Sequence, residues 1–114
     1  MFDAAVLEAL AGLTKRPQNV IVLEDENATL ECSTDSTSSQ GSSAIGWKYD
    51  RNIIVHRPCQ SVGHPAFIVT SPDPQTDCNL IALAGAADSI SGPYECSEGG
   101  FNIKAIAMVI VIGK

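Results

Sequence analysis

Alternation of apolar and polar residues with a period of two runs through this chain. Ala28-Thr29-Leu30-Glu31-Cys32 and Ala44-Ile45-Gly46-Trp47-Lys48-Tyr49 both carry it, as half-buried strands must, because successive side chains of a strand point to opposite faces. In the second run Ile45, Trp47 and Tyr49 share one face. Residues 20–23, 53–56, 67–70, 79–83 and 105–112 are rich in β-branched and apolar side chains and predict further strands. Leu13-Thr14 opens a first strand that Pro17 must break, since proline has no amide hydrogen to offer a ladder. Ile53-Ile54-Val55 places three apolar residues in succession, so a regular strand there turns at least one away from the core. With Ile53 and Val55 inward, Ile54 projects outward; the competing account is a bulged or missing strand, with all three residues packed internally. The expected class is all-β.

The connections read as turns and loops. Glu24-Asp25-Glu26-Asn27 is a solvated acidic turn rather than a metal site, because nothing spaces further oxygen ligands around it. Residues 33–43 are polar without apolar periodicity and predict a long mobile loop. Asp50-Arg51-Asn52 is a polar turn, and residues 58–65 are irregular. Pro72-Asp73-Pro74-Gln75 is a proline-preset turn. Residues 97–102 form a compact hairpin, permitted by Gly99 and Gly100, with Phe101 near its tip.

At 114 residues the chain fits one domain. Residues 1–12 read as an N-terminal extension and 13–114 as the domain. Phe2, Val6, Leu10 and Leu13 fall at helical spacing, yet no basic residue precedes them and Glu8 interrupts the run, so the segment makes a poor signal peptide. Residues 105–112 fall far short of the ~20 apolar residues of a membrane helix. The anchor of a membrane-bound parent is therefore expected outside these residues. A formal charge of -6 with only seven basic residues argues against a nucleic-acid partner, which needs clustered Lys and Arg.

Four cysteines, none in a Cys-x-x-Cys pair, predict two disulfides and an oxidising compartment; three pairings satisfy the count. Asn27-Ala28-Thr29 is a glycosylation sequon consistent with that compartment. His56, Cys59, His64 and Cys78 supply the donor types of tetrahedral zinc, but their spacing is irregular and the thiols suit a second disulfide better. No nucleophile elbow or other catalytic constellation occurs, so neither an enzyme nor a cofactor is expected.

Cys32, Trp47 and Ser91-Gly92-Pro93-Tyr94-Glu95-Cys96, with Tyr94 two residues before the second cysteine, resemble the immunoglobulin superfamily, of variable or intermediate type, over about residues 13–112. The resemblance implies a Greek-key β-sandwich of two antiparallel sheets with about eight or nine strands. It implies a Cys32–Cys96 bridge between the sheets, which leaves Cys59 with Cys78, and a core pinned by Trp47 and the tyrosine corner of Tyr94. It also implies that Ile81 and Leu83 are the inward pair upstream of Cys96. Two departures stand out. Ile90 replaces the aspartate of the family's Asp-x-Gly-x-Tyr-x-Cys pattern while Ala66 stands near the expected arginine, so an apolar contact replaces an ion pair, with Arg57 and Asp88 as a displaced substitute. The Phe-Gly-x-Gly bulge of rearranging antigen receptors is missing.

Such a domain is expected to be an extracellular or cell-surface recognition module of a receptor or adhesion protein. It would bind a protein partner, or a second copy of itself, through the sheet that carries the family's strands G, F, C and C′. Lys48, Tyr49, Arg51, Ile54 and Phe101 are the expected contact residues, apolar at the centre and basic at the rim. The alternative is a secreted innate immune molecule that binds a pathogen or glycan ligand through the loop end.

Overall fold

A computed structural model describes residues 12–35, 41–85, 89–99 and 103–113. These fold into eleven strands: β1 (Leu13–Lys15), β2 (Val20–Leu23), β3 (Ala28–Leu30), β4 (Ser33–Thr34), β5 (Ile45–Tyr49), β6 (Asn52–His56), β7 (Gln60–Ser61), β8 (Phe67–Thr70), β9 (Asn79–Ala82), β10 (Gly92–Glu98) and β11 (Ile103–Ile112). The front sheet has the order β2-β11-β10-β5-β6-β7, and opposite it lie β3-β9-β8 and the short β1-β4 pair. Eleven segments exceed the expected eight or nine because the strand ending at Cys32 resumes as β4 and the irregular stretch contains the short β7. The front sheet is also mixed rather than wholly antiparallel, since β2 runs parallel to β11.

Pro17 divides the first strand as expected. Before it, β1 pairs antiparallel with β4. After it, β2 joins the front sheet. Of the N-terminal extension, residues 1–11 lie outside the described residues; the Gly12 carbonyl accepts the Asp35 amide at 3.0 Å and the Thr34 hydroxyl at 2.7 Å.

The two layers meet around Cys32, Trp47, Tyr94 and Cys96, all buried. Disulfides join Cys32 to Cys96 and Cys59 to Cys78, with Cα separations of 6.5 and 5.8 Å. Closing loops of 64 and 19 residues stabilises by about 4 and about 3 kcal/mol on the chain-entropy account. Trp47 Nε1 donates to the Cys78 carbonyl at 2.9 Å, which ties the indole to the second bridge. The Tyr94 hydroxyl donates to the Ile90 carbonyl at 2.6 Å and completes the tyrosine corner. Burial, then the neighbouring Tyr49, push that phenol well above its usual range, so it remains a donor. Ile90 and Ala66 are both buried in the apolar core, as their joint departure from the charged pattern requires; Asp88 lies outside the described residues.

Two expectations are corrected here. In β9 the inward residues are Leu80 and Ala82, whereas Ile81 and Leu83 are only half-buried. Cys78 sets this phase: it is buried for its bridge, and a period of two from it selects 80 and 82. The stretch 33–43, expected to be a mobile loop, is built into the fold at both ends. Ser33, Thr34 and Ser43 are buried, and Ser43 N donates to the Pro74 carbonyl at 3.0 Å. The Asp77 carboxylate accepts from Ser33 Oγ at 2.8 Å, Thr76 Oγ1 at 3.1 Å and Asp73 N at 3.1 Å. Burial alone would raise its pKa, but these hydrogen bonds and the charge of Lys15 hold it below the ordinary carboxylate range. Residues 36–40 of that stretch lie outside the described residues.

Candidate protein-interaction face

Register across the front sheet determines which side chains share its outer surface. Ile106 lies opposite Glu95, Glu95 opposite Lys48, and Lys48 opposite Ile53, which makes one row across four strands. Met108 lies opposite Pro93 in the next row. On the far side of β11, Ile110 pairs with Ile21 and Ile112 with Leu23. Side chains opposite one another in a ladder lie on the same face, so these rows form one surface.

β11 supplies most of it. Its inward positions are Ala107 and Val109, both buried, while Ile106, Met108, Ile110 and Ile112 alternate outward. Beside them Ile21 is 66% exposed and Ile106 itself 65%. A sheet face that meets only water alternates toward polar residues, and here the outward set is aliphatic. Lys48, Arg51, Pro93, Glu95 and Ile106 line a shallow groove of about 230 Å³ at its edge. Six adjacent aliphatic side chains, from Ile21 and Leu23 to Ile106, Met108, Ile110 and Ile112, expose on the order of 500 Å² together, the size of the largest patch on a typical monomer.

The fold was compared with solved structures. The first immunoglobulin domain of mouse SynCAM 2 superposes with a TM-score of 0.68 at 18% identity, over 86% of this chain and 94% of that one. The titin I9–I11 tandem gives 0.65 at 17% identity over 89% of this chain, which spans 32% of the tandem's length. The complex of titin M10 with obscurin-like 1 gives 0.63 at 16% identity, over 90% of this chain and 93% of that one. The fold is immunoglobulin-like. At these identities the likeness is one of fold. No family model matches the sequence, and no curated protein does.

Against this immunoglobulin-like frame the expected contact residues fall into three groups. Lys48 and Arg51 lie at the front as expected, the first half-buried in the central row and the second exposed on the β5–β6 turn. Asp50 and Arg51 both have positive φ, 48° and 73°, which gives that two-residue turn the twist a hairpin favours. Phe101 lies outside the described residues.

Ile54 and Tyr49 are corrected. Ile54 is only 3% exposed and belongs to the core, while Ile53 is 48% exposed. A bulge between β5 and β6 is the cause: the register passes from Trp47↔Val55 to Lys48↔Ile53, so Ile54 is the extra residue and both it and Val55 turn inward. Gly46 accommodates the bulged strand, since a Cβ there would stand 2.8 Å from the Val55 carbonyl oxygen. Tyr49 also turns to the core side. Its ring packs on Tyr94 and Phe67 at 4.6 and 5.5 Å, and its hydroxyl donates to the Ser91 carbonyl at 2.7 Å. Burial, then the Asp50 carboxylate, raise its pKa. Asn27, the sequon residue, is exposed; its Oδ1 accepts the Ala84 amide at 2.9 Å, which leaves the amide nitrogen that a glycan would take outside that bond.

The sequence reading missed Ile106, Met108, Ile110, Ile112, Ile21 and Leu23 as surface. The signal was present. Eight consecutive apolar residues, 105–112, turn half of themselves outward in any regular strand, the same argument that was applied to residues 53–55.

Proposed function

We propose that this immunoglobulin-like domain is an extracellular recognition module of a cell-surface receptor or adhesion protein, which binds a protein partner through its front sheet. The aliphatic outer face of β11 and β2, with Lys48, Glu95 and Arg51 along one side, carries this reading. Exposed apolar patches of this size, rimmed by polar residues, mark protein interaction sites. Two disulfides support an oxidising, extracellular compartment. The titin M10 domain is seen in complex with obscurin-like 1, which supports the use of this fold as a pairing surface.

The test is cell staining by a fluorescent tetramer of the 114-residue chain, which detects weak binding through avidity. Staining of some cell types is expected, with loss for Ile106→Asp on the front face and retention for Ile68→Asp on exposed β8. Equal staining by both variants would place recognition elsewhere.

A further inference from the structure

Arg57 lies across the front sheet, and two glycines make room for it. Gly46 stands in the outward phase of β5, between the inward Ile45 and Trp47, yet it is buried. The Arg57 stem covers it, with Cγ 3.1 Å from where a Gly46 Cβ would stand. Farther along, Cδ and Nη1 lie 3.2 and 2.9 Å from the corresponding point on Gly99, where the chain leaves β10. Neither glycine adopts the left-handed φ that favours the residue. The vacant side-chain space at Gly99 instead holds the guanidinium, and a Cβ there would push it away.

The surroundings of that guanidinium are cationic. A hollow of about 90 Å³ opens beside it, bounded by Gly46, Lys48, Ile53, His56, Arg57 and Ser97, with room for about three water molecules. Lys104 lies opposite Ser97 in the ladder and Ser97 opposite Gly46, so Lys104 and Arg57 share one row across the sheet. Lys48, Arg57 and Lys104 make no ion pair among the described residues. The only acid in this row and the next, among the described residues, is Glu95. A chain of net charge -6 thus gathers four of its seven Lys and Arg residues, Lys48, Arg51, Arg57 and Lys104, at one sheet. Such a local field attracts anions that the rest of the surface repels.

We infer that this hollow is a carboxylate site, and that the protein partner of the front sheet presents an Asp or Glu side chain to it. The Arg57 fork offers paired N–H donors that match a carboxylate, the Ser97 hydroxyl offers another, and Lys48 and Lys104 add charge. The inference rests on the recognition role proposed for the front sheet and names the chemistry of the partner. Position favours a protein over an acidic polysaccharide. Lys104 and Ile106 are successive outward residues of β11, so a ligand seated at Arg57 also covers the start of the aliphatic ladder. An acidic side chain with apolar neighbours matches both, whereas a sugar chain would bring hydroxyls against aliphatic surface that offers them no hydrogen bond.

The test is a titration of the oxidised 114-residue chain, followed by amide chemical shifts, with circular dichroism to verify that each variant is folded. The probes are an acetylated and amidated hexaglutamate, the matching hexalysine, and a hyaluronan dodecasaccharide, which carries as many carboxylates on a sugar backbone. Hexaglutamate should shift the amides of Gly46, Lys48, Ser97 and Gly99 together, and hexalysine should leave them in place. Arg57→Glu should weaken hexaglutamate about tenfold or more, because it sets like charges together. Arg16→Glu, an equal change of charge beside β3 of the opposite sheet, should alter it by less than about twofold, since charges beyond a Debye length are screened. Gly99→Ala should also weaken it, by displacing the guanidinium. Hexaglutamate that shifts none of these amides, or that binds Arg57→Glu unchanged, overturns the inference; hyaluronan that binds there more tightly than hexaglutamate replaces the protein partner with an acidic glycan. The tetramer carrying Arg57→Glu should lose the cell staining that Ile106→Asp also loses. Staining that depends on Ile106 but not on Arg57 would leave the recognition role standing and remove the carboxylate site from it. Hexaglutamate binding alongside staining that Ile106→Asp does not reduce would keep the carboxylate site and remove the role.

Discussion

β6 and β11 are both runs of apolar, mostly β-branched residues in the front sheet, and they turn them in different directions. In β6 a bulge brings Ile54 and Val55 inward together and leaves Ile53 alone outside. β11 keeps an unbroken register with β10 over seven pairs, so strict alternation carries every second residue out to solvent. Composition does not separate the two strands; their neighbours do. β6 lies against Gly46, whose missing side chain admits the bulged backbone, whereas β11 lies between two regular ladders that hold its phase. A single exposed isoleucine is ordinary on a protein surface, but four large apolar side chains on one strand beside two on the next are not.

The sharpest way to break this comparison is to place the same charge on both strands. Ile54→Asp buries a carboxylate without a partner and should cost about 4 kcal/mol or more, enough to abolish the cooperative melt near body temperature. A melting curve close to that of the unmodified chain would return Ile54 to the surface and remove the bulge. Gly46→Ala tests the cause of the difference. Its methyl group would meet the Val55 backbone oxygen at 2.8 Å, so the bulge must shift, at about 1–3 kcal/mol, read as a lower urea midpoint at an unchanged slope. An unchanged midpoint would show that the bulge does not depend on the glycine. The smallest effect is expected on β11, where Ile110→Asp should alter monomer stability by no more than about 0.5 kcal/mol in the same titration, because the side chain already faces water. A loss as large as that of Ile54→Asp would mean that the outer face of β11 is covered within the monomer.

Much of this architecture could be read from residue pattern and family resemblance together. Pro17 has no amide to give, so a division of the first strand followed from covalent structure. Trp47 and Tyr94 are too large to be left outside an alternating strand's inner face, and the spacing of Tyr94 from Cys96 marked the corner at Ile90. The disulfide partners followed from the resemblance rather than from cysteine count, which leaves three pairings open. The candidate face was legible only in part. Lys48 and Arg51 border that face, but Ile54 belongs to the core and the half-buried Tyr49 packs against it, and the β11 ladder that dominates the surface was read as a strand without its consequence.

Residue pattern alone located the longer strands and gave each an inner and an outer side, though not the short β4 and β7, because alternation and chain-breaking residues act over a few neighbouring positions. Only the tertiary structure decided which side is inner where both are apolar. In β9 the buried Cys78 and its bridge chose Leu80 and Ala82 over Ile81 and Leu83. In β6 a bulge seated on Gly46, a residue of a different strand, moved Ile54 inside. The physical reason is common to both: a period of two has two phases of nearly equal local energy, and the choice between them is made by bonds and packing that arrive from elsewhere in the chain.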